Sequence, residues 1–69
     1  MTLDEYRKQC GWTATEMARN CGIDYNTLKR ALKGETISTQ SARKIATAIS
    51  NALGQKILFT QIDKLKVNL

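Results

Sequence analysis

The chain has 69 residues, a formal net charge of +5, two cysteines and neither histidine nor proline. This length fits one domain with a small core, and the positive charge suits a polyanionic partner, with nucleic acid ahead of an anionic membrane. Two cysteines without histidine cannot form an ordinary four-ligand zinc site, and the lack of histidine disfavours acid–base and triad catalysis. We therefore expect no metal, no cofactor, no small-molecule ligand and no catalytic residue.

The sequence contains no apolar run long enough to cross a membrane and no charged-then-apolar export leader. These features predict a soluble cytoplasmic protein. In a reducing compartment we expect Cys10 and Cys21 to be small buried hydrophobes, and a redox switch is the alternative.

Capping-box patterns mark the starts of the first two predicted helices. Thr2 to Glu5 and Thr13 to Glu16 each place a threonine three residues before a glutamate. Gly11 is expected to end helix one, and Gly22 is expected to turn helix two sharply into the next helix. Apolar residues recur at helical spacing in both segments, at Leu3, Tyr6 and Cys10 and then at Ala14, Met17, Ala18 and Cys21.

Helix three is predicted from about Tyr25 to Lys33, with Asp24 as its N-cap and Gly34 as its stop. Its two sides differ in chemistry: Leu28, Ala31 and Leu32 share one side, and Asn26, Lys29, Arg30 and Lys33 share the other, with Tyr25 at the border. Helix four is predicted to begin after Ser38 or Thr39 and to end at Gly54. Its apolar stripe consists of Ala42, Ile45, Ala46, Ile49, Ala52 and Leu53.

The remaining residues, 55–69, are ambiguous. Leu58, Ile62, Leu65 and Leu69 fit one face of a fifth helix, whereas Ile57 to Thr60 is rich in strand formers. A short strand around Lys56 to Ile62 is the favoured interpretation. Either structure leaves apolar surface that a short chain struggles to bury, so Ile57, Phe59 and Ile62 are predicted to form a homodimer interface. Residues 1–54 would then form the domain and residues 55–69 its dimerisation segment.

Two short helices joined by a glycine turn are typical of a helix-turn-helix. The polar side of helix three carries side chains that suit the major groove of DNA: Asn26 can pair with adenine, Arg30 or Lys29 with guanine, and Tyr25 can meet a phosphate or a thymine methyl group. Lys33 suits a phosphate. The alternative is a basic, solvated face on an ordinary helical hairpin.

The segment "TATEMARNCGIDYNTLKRALKG" resembles the helix-turn-helix of the Cro and phage-repressor (XRE-like) family. Ala18 stands where that family packs a small residue between the two helices, Gly22 is in the turn, and Ile23 and Leu28 are at the apolar positions that follow. The flanking segments "YRKQCGWT" and "SARKIATAISNALG" look like the neighbouring helices of the same fold. The resemblance covers about Leu3 to Gly54 and implies an all-α, lambda-repressor-like bundle of four or five short helices.

By this resemblance Tyr25, Asn26 and Arg30 are the base-reading positions, with Lys29 beside them. Two departures affect the phosphate contacts. Many relatives carry glutamine in place of Ala14, near a phosphate, so that this contact is lost or passes to Thr13 and Thr15. Relatives often carry a glutamate in place of Leu32 that pairs with an arginine of helix one, so Arg7 is expected to be free, to contact phosphate or nothing.

The resulting hypothesis is a sequence-specific double-stranded DNA-binding regulator. It would be a Cro-like repressor or autorepressor of a phage or mobile element, nucleoid-associated, and would occlude a promoter as a homodimer on a pseudo-palindromic operator. The alternative is a protein-binding module on the same fold, such as an antirepressor, antitoxin or inhibitor. A nuclease or other enzyme would need acidic residues to bind a metal. This class is disfavoured because the capping boxes and the N-cap account for most of the acidic residues.

Overall fold

Four α-helices and one two-stranded parallel sheet make up residues 1–68, the part of the chain that the computed structural model describes. Leu69, the last residue of the predicted fifth-helix face, lies outside the described residues. The elements in chain order are α1 (Leu3–Cys10), α2 (Ala14–Cys21), α3 (Tyr25–Leu32), β1 (Ile37–Ser38), α4 (Thr39–Leu53), a 3₁₀ turn (Phe59–Gln61) and β2 (Val67–Asn68). The prediction of a small, mainly helical bundle is confirmed.

Side-chain caps fix the starts of α1 and α2, as the capping-box patterns predict. At α2 the Thr13 hydroxyl accepts from the backbone N–H of Glu16 (3.1 Å), and the Glu16 carboxylate accepts from the backbone N–H of Thr13 (2.8 Å). Thr2 and Glu5 form the same pair of bonds at α1. In each box the backbone N–H of the threonine lowers the pKa of the glutamate, which favours its ionised form.

Asp24 differs from this pattern. It occupies the N-cap position of α3 with an extended backbone, yet its side chain makes no capping hydrogen bond. The position of the N-cap is therefore as predicted, but the side-chain hydrogen bond that makes aspartate a favourable N-cap is absent.

A left-handed glycine produces the turn between α2 and α3. Gly22 has φ = 71°, and its N–H donates to the carbonyl of Arg19 while the N–H of Ile23 donates to the carbonyl of Ala18. This is the Schellman pattern, in which an apolar contact between Ile23 and the helix it leaves usually completes the turn. Ile23 is half-buried and packs against the core, as expected.

Helix α4 lies against α1 and α2 and supplies much of the core. The largest fully buried side chains come from three helices: Met17, Leu28, Ile45 and Ile49. The predicted α4 stripe is buried at Ala42, Ile45, Ala46 and Ile49 and half-buried at Leu53, but Ala52 is exposed. Ala52 lies about 60° around the helix from Ile49, at the edge of the stripe, and falls outside the packed face.

The two cysteines pack with this core as free thiols, Cys21 buried and Cys10 half-buried. Burial raises the pKa of the Cys10 thiol, and burial together with the nearby Cys10 raises the pKa of Cys21 to about 11. Both thiols are thereby held in the protonated form, which suits small hydrophobes better than reactive groups.

No strand and no fifth helix forms over Lys56 to Ile62, so both interpretations of this segment are wrong. The Ser50 hydroxyl accepts from the backbone N–H of Ile57 (2.9 Å), and the chain then enters the 3₁₀ turn. Ile57 and Ile62 are an odd number of residues apart, which would place them on opposite faces of a strand. Both are buried in the same core, and only an irregular segment allows this.

The strand of this region lies further along the chain. β2 pairs in parallel with β1, in the register Ile37↔Val67 and Ser38↔Asn68. The N–H of Ile37 donates to the carbonyl of Lys66 (2.9 Å), and the Thr39 hydroxyl donates to the carbonyl of Asn68 (2.9 Å). Residues 66–68 are therefore attached to the loop that joins α3 to α4.

This folding back corrects the expected dimer interface. Ile57 is 7% exposed and Ile62 is 3% exposed within a single chain, and Phe59 is half-buried. Ile57 and Ile62 are thus part of the core and are not available to a second copy, whereas Leu58 remains 51% exposed. No helix in the described part of the chain is both long and apolar enough to cross a membrane.

We predict that Gly22→Val destabilises the protein by more than about 1 kcal/mol, because a β-branched side chain is strained at positive φ. A Cβ at this position would meet no other atom within 4 Å, so the effect is one of backbone conformation rather than collision. Urea unfolding followed by circular dichroism measures the loss in the free energy of unfolding. Gly22→Asn is the matched control and should cost less, since asparagine tolerates this conformation; equal stability of the valine variant and the parent would contradict the turn.

We predict that Ile62→Ala costs about 2–5 kcal/mol, because it opens a cavity in the core. Leu58→Ala removes a comparable side chain from an exposed position and should change the free energy of unfolding by much less. The same urea titration compares the two variants. A small effect of Ile62→Ala would show that residues 55–68 are not packed as described.

Candidate nucleic-acid interface

The buried side of α3 determines which of its side chains face outward. Leu28 and Ala31 are buried against the core. The four predicted base-reading residues (Tyr25, Asn26, Lys29 and Arg30) are all exposed, and Lys33 is exposed at the C-cap. The structure thus brings these five side chains onto one outward surface, which we call the α3 face.

Two members of the α3 face contact each other. The Lys29 ammonium lies 5.6 Å from the centre of the Tyr25 ring, within the range of a cation–π interaction. Tyr25 is 45% exposed, so the pair remains open to an approaching ligand. The contact places the two side chains next to each other on the exposed side of the helix.

Arg30 is held by the loop that follows α3. Its Nη2 donates to the carbonyl of Thr36 (3.4 Å), and its Nε lies 3.6 Å from a carboxylate oxygen of Glu35. Sequence reasoning missed Glu35. The signal that could have found it is Gly34, because the residue after a helix-ending glycine returns to the last turn of the helix.

The backbone confirms this return. The N–H of Gly34 donates to the carbonyl of Ala31 (3.1 Å), and the N–H of Glu35 donates to the carbonyl of Arg30 (2.9 Å). Gly34 has φ = 85°. Helix α3 therefore ends in the same Schellman pattern as α2, with Glu35 at the place that Ile23 occupies in the earlier turn.

Two of the expected phosphate contacts, Thr13 and Thr15, are exposed at the N-terminal end of α2. The Thr13 oxygen already accepts the capping bond from Glu16, but its O–H can still donate. Helix N-termini attract anions because their backbone N–H groups and dipole point outward, so both threonines lie where a phosphate would be favoured.

Arg7 is not free, contrary to expectation. Its guanidinium pairs with the Asp4 carboxylate (2.9 Å) and donates to the carbonyl of Trp12 (2.8 Å). The bond from Arg7 lowers the pKa of Asp4 and keeps this pair charged. Arg7 is half-buried and ties α1 to the segment that leads into α2.

A polar cleft of about 400 Å³ lies beside α3, between that helix and the start of α4. Ser38 caps α4 by accepting from the N–H of Ser41 (3.2 Å), and both serines line the cleft with Thr27, Arg30 and Asn68. The sequence left Ser38 and Thr39 as alternative caps of helix four, and Ser38 is the cap in the structure. The approach of Asn68 depends on the β1–β2 pairing, which no local sequence pattern predicts. Among residues 1–68 there is no group of three or more potential metal ligands.

A glycine turn between two short packed helices, with a polar and basic second helix turned outward, defines a helix-turn-helix domain. A family model described as "Helix-turn-helix" matches residues 3–56, most of the chain. The chain belongs to this XRE-type helix-turn-helix family, whose members are DNA-binding transcriptional regulators and are not usually enzymes. No curated protein and no solved structure gives a significant match.

Proposed function

We propose that this protein is a sequence-specific regulator that places α3 in the major groove of double-stranded DNA and represses transcription by occluding a promoter. The observation that carries this proposal is the α3 face. Three basic side chains and an amide project outward from a helix whose opposite side is fixed in the core by Leu28 and Ala31.

Each member of the α3 face has a chemical role in this proposal. Asn26 can donate to and accept from adenine, and Arg30 can donate two N–H groups to guanine. Lys29 offers a third donor next to the Tyr25 ring, which can cover a thymine methyl group. These contacts carry sequence information, because the major groove presents a different pattern for each base pair.

Phosphate contacts would fix the position of the helix without reading sequence. Thr13 and Thr15 at the start of α2 and Lys33 at the end of α3 are the groups that we assign to this role. Arg7 is left out because its donors are occupied by Asp4 and Trp12.

The proposal includes a homodimer on a pseudo-palindromic operator. One chain measures 26 × 22 × 18 Å, so two copies centred about 34 Å apart, one turn of DNA, would meet only along their longest dimension, with side chains filling the remaining gap. Among residues 1–68, Leu58 is the most exposed large hydrophobic residue, and it belongs to the segment after α4. With Ile57 and Ile62 inside the core, we place the contact at Leu58 and the partly exposed Phe59.

We expect Arg30→Ala or Asn26→Ala to weaken specific DNA binding by about 1–3 kcal/mol and to relax the preference at one base pair. Binding of DNA fragments from the protein's own locus, compared with random DNA over a range of salt concentrations, measures both effects. Arg19→Ala removes the same charge from an exposed position on α2 and is the matched control.

Unchanged operator binding by both α3 variants would show that another surface binds DNA. If the parent chain binds only weakly and without sequence preference at moderate salt, the protein-binding module becomes the better explanation of the fold.

We expect Leu58→Glu to shift the dimer towards monomer and to reduce operator affinity, because joining two half-sites makes the second contact effectively intramolecular. Sedimentation of the parent chain at micromolar concentration tests the dimer itself. Gln55→Glu adds the same side chain at an exposed position nearby and should leave the association unchanged. A parent chain that is monomeric both alone and on DNA would refute the dimer while leaving DNA binding by α3 intact.

A further inference from the structure

Glu35 is an acidic residue beside a surface that is proposed to bind a polyanion, and the other acids have different structural places. Glu5 and Glu16 complete the capping boxes, and Asp4 and Asp63 pair with cations in the region of α1. Asp24 stands at the N-cap of α3. Glu35 contacts only Arg30 among the basic groups of the described residues. A carboxylate near DNA phosphates lowers the affinity of a protein for DNA, because like charges repel. The position of Glu35 beside the α3 face therefore needs an explanation.

The ion pair occupies a place that is usually apolar. In the Schellman pattern the residue after the glycine commonly makes a hydrophobic contact with the last turn of the helix. At this position after α2, Ile23 packs against the core. After α3 the same two positions are Glu35 and Arg30, which the backbone bond of 2.9 Å brings together. The turn therefore delivers the carboxylate to the one arginine on the α3 face.

The atoms of Arg30 that are engaged determine which atoms remain. A guanidinium has five N–H donors in a plane, and here Nε faces Glu35 while Nη2 donates one proton to Thr36. When Thr36 takes the Nη2 proton on the Nε side, the opposite edge, formed by Nη1 and the second proton of Nη2, is left free to donate. That edge presents two parallel N–H groups, the arrangement that guanine O6 and N7 accept.

We infer that Glu35 is a positioning residue that orients Arg30 for guanine and competes with DNA phosphates for its guanidinium. In non-specific complexes an arginine beside the backbone would move to any phosphate. Glu35 opposes that movement, so it lowers affinity for random DNA and raises the preference for the correct base pair. This inference rests on the proposed function and adds a determinant of its specificity.

Selection from a duplex library randomised over 20 base pairs provides the test. The parent chain first defines its preferred duplex, and then Glu35→Gln is compared with it on that duplex and on a mixed-sequence duplex. We expect Glu35→Gln to bind the mixed duplex more tightly with a salt dependence steeper by about one phosphate contact. We also expect its preference for guanine at the Arg30 position to fall about ten-fold.

Glu5→Gln is the matched control, because it removes the same charge and glutamine can still complete a capping box. Arg30→Ala supplies a second test: in that background Glu35→Gln should not alter base preference, since the residue through which it acts is gone. Nuclear magnetic resonance of the Arg30 Nε–H should show restricted guanidinium rotation in the free parent chain and faster rotation in Glu35→Gln.

The outcomes separate the two ideas. A parent chain that enriches no sequence overturns the proposed function and this inference with it. A parent chain that enriches a sequence, to which Glu35→Gln binds with the same guanine preference, overturns only the role of Glu35. A loss of preference that persists without Arg30 also overturns it, since Glu35 would then act by another route.

Discussion

Three of the four described helices are only eight residues long, and a helix of that length does not persist in water by itself. Each must therefore end at a defined residue and pack against the other helices to be stable. Left-handed glycines provide the ends, and the buried side chains of Met17, Leu28, Ile45 and Ile49 provide the packing. The direction of α3, and with it the position of every side chain on the α3 face, follows from this mutual dependence of short helices on one core.

The same constraint explains why function can lie on the surface of α3 at little structural cost. Leu28 and Ala31 make the contacts that hold the helix, so the outward positions are free to carry polar side chains. The loops next to α3 and α1 also contact charged side chains of these helices. The turn after α3 brings a carboxylate to Arg30, and the corner after α1 binds Arg7 through the carbonyl of Trp12. Charged groups thus take part in ending two of the three short helices.

The sequence predicted most of the features that depend on neighbouring residues, although it missed the contact of Glu35 with Arg30 across the turn at Gly34. The capping boxes at Thr2 and Thr13, the turn at Gly22 and the outward side of α3 each need only a few consecutive residues, and each is present in the structure. Several of the features that it missed depend on how separate segments of the chain come together. The β1–β2 pairing joins segments from either side of α4, and the segment at Ile57 takes a hydrogen-bond partner from Ser50. No local periodicity encodes such contacts.

The candidate site divides in the same way. The exposure of Tyr25, Asn26, Lys29 and Arg30 follows from helical spacing. The engagement of Arg7 required knowledge of how the chain turns after Gly11, since its partner at Trp12 lies beyond that turn. Similarly, the residues from Lys56 to Ile62 have a local preference for strand. However, Ile57 and Ile62 are both buried in the same core, which a strand would not allow.

The parallel pairing of β1 with β2 also bears on the order of events during synthesis. All four helices are translated before β2, yet the loop that leaves α3 gains the backbone partner at Lys66 only when residues 66–68 are present. Domains fold from the N-terminal end as the chain emerges, and contacts between distant segments form last. A chain in which residues 66–68 are not yet in place therefore has the whole α3 face next to a loop that lacks this backbone bond.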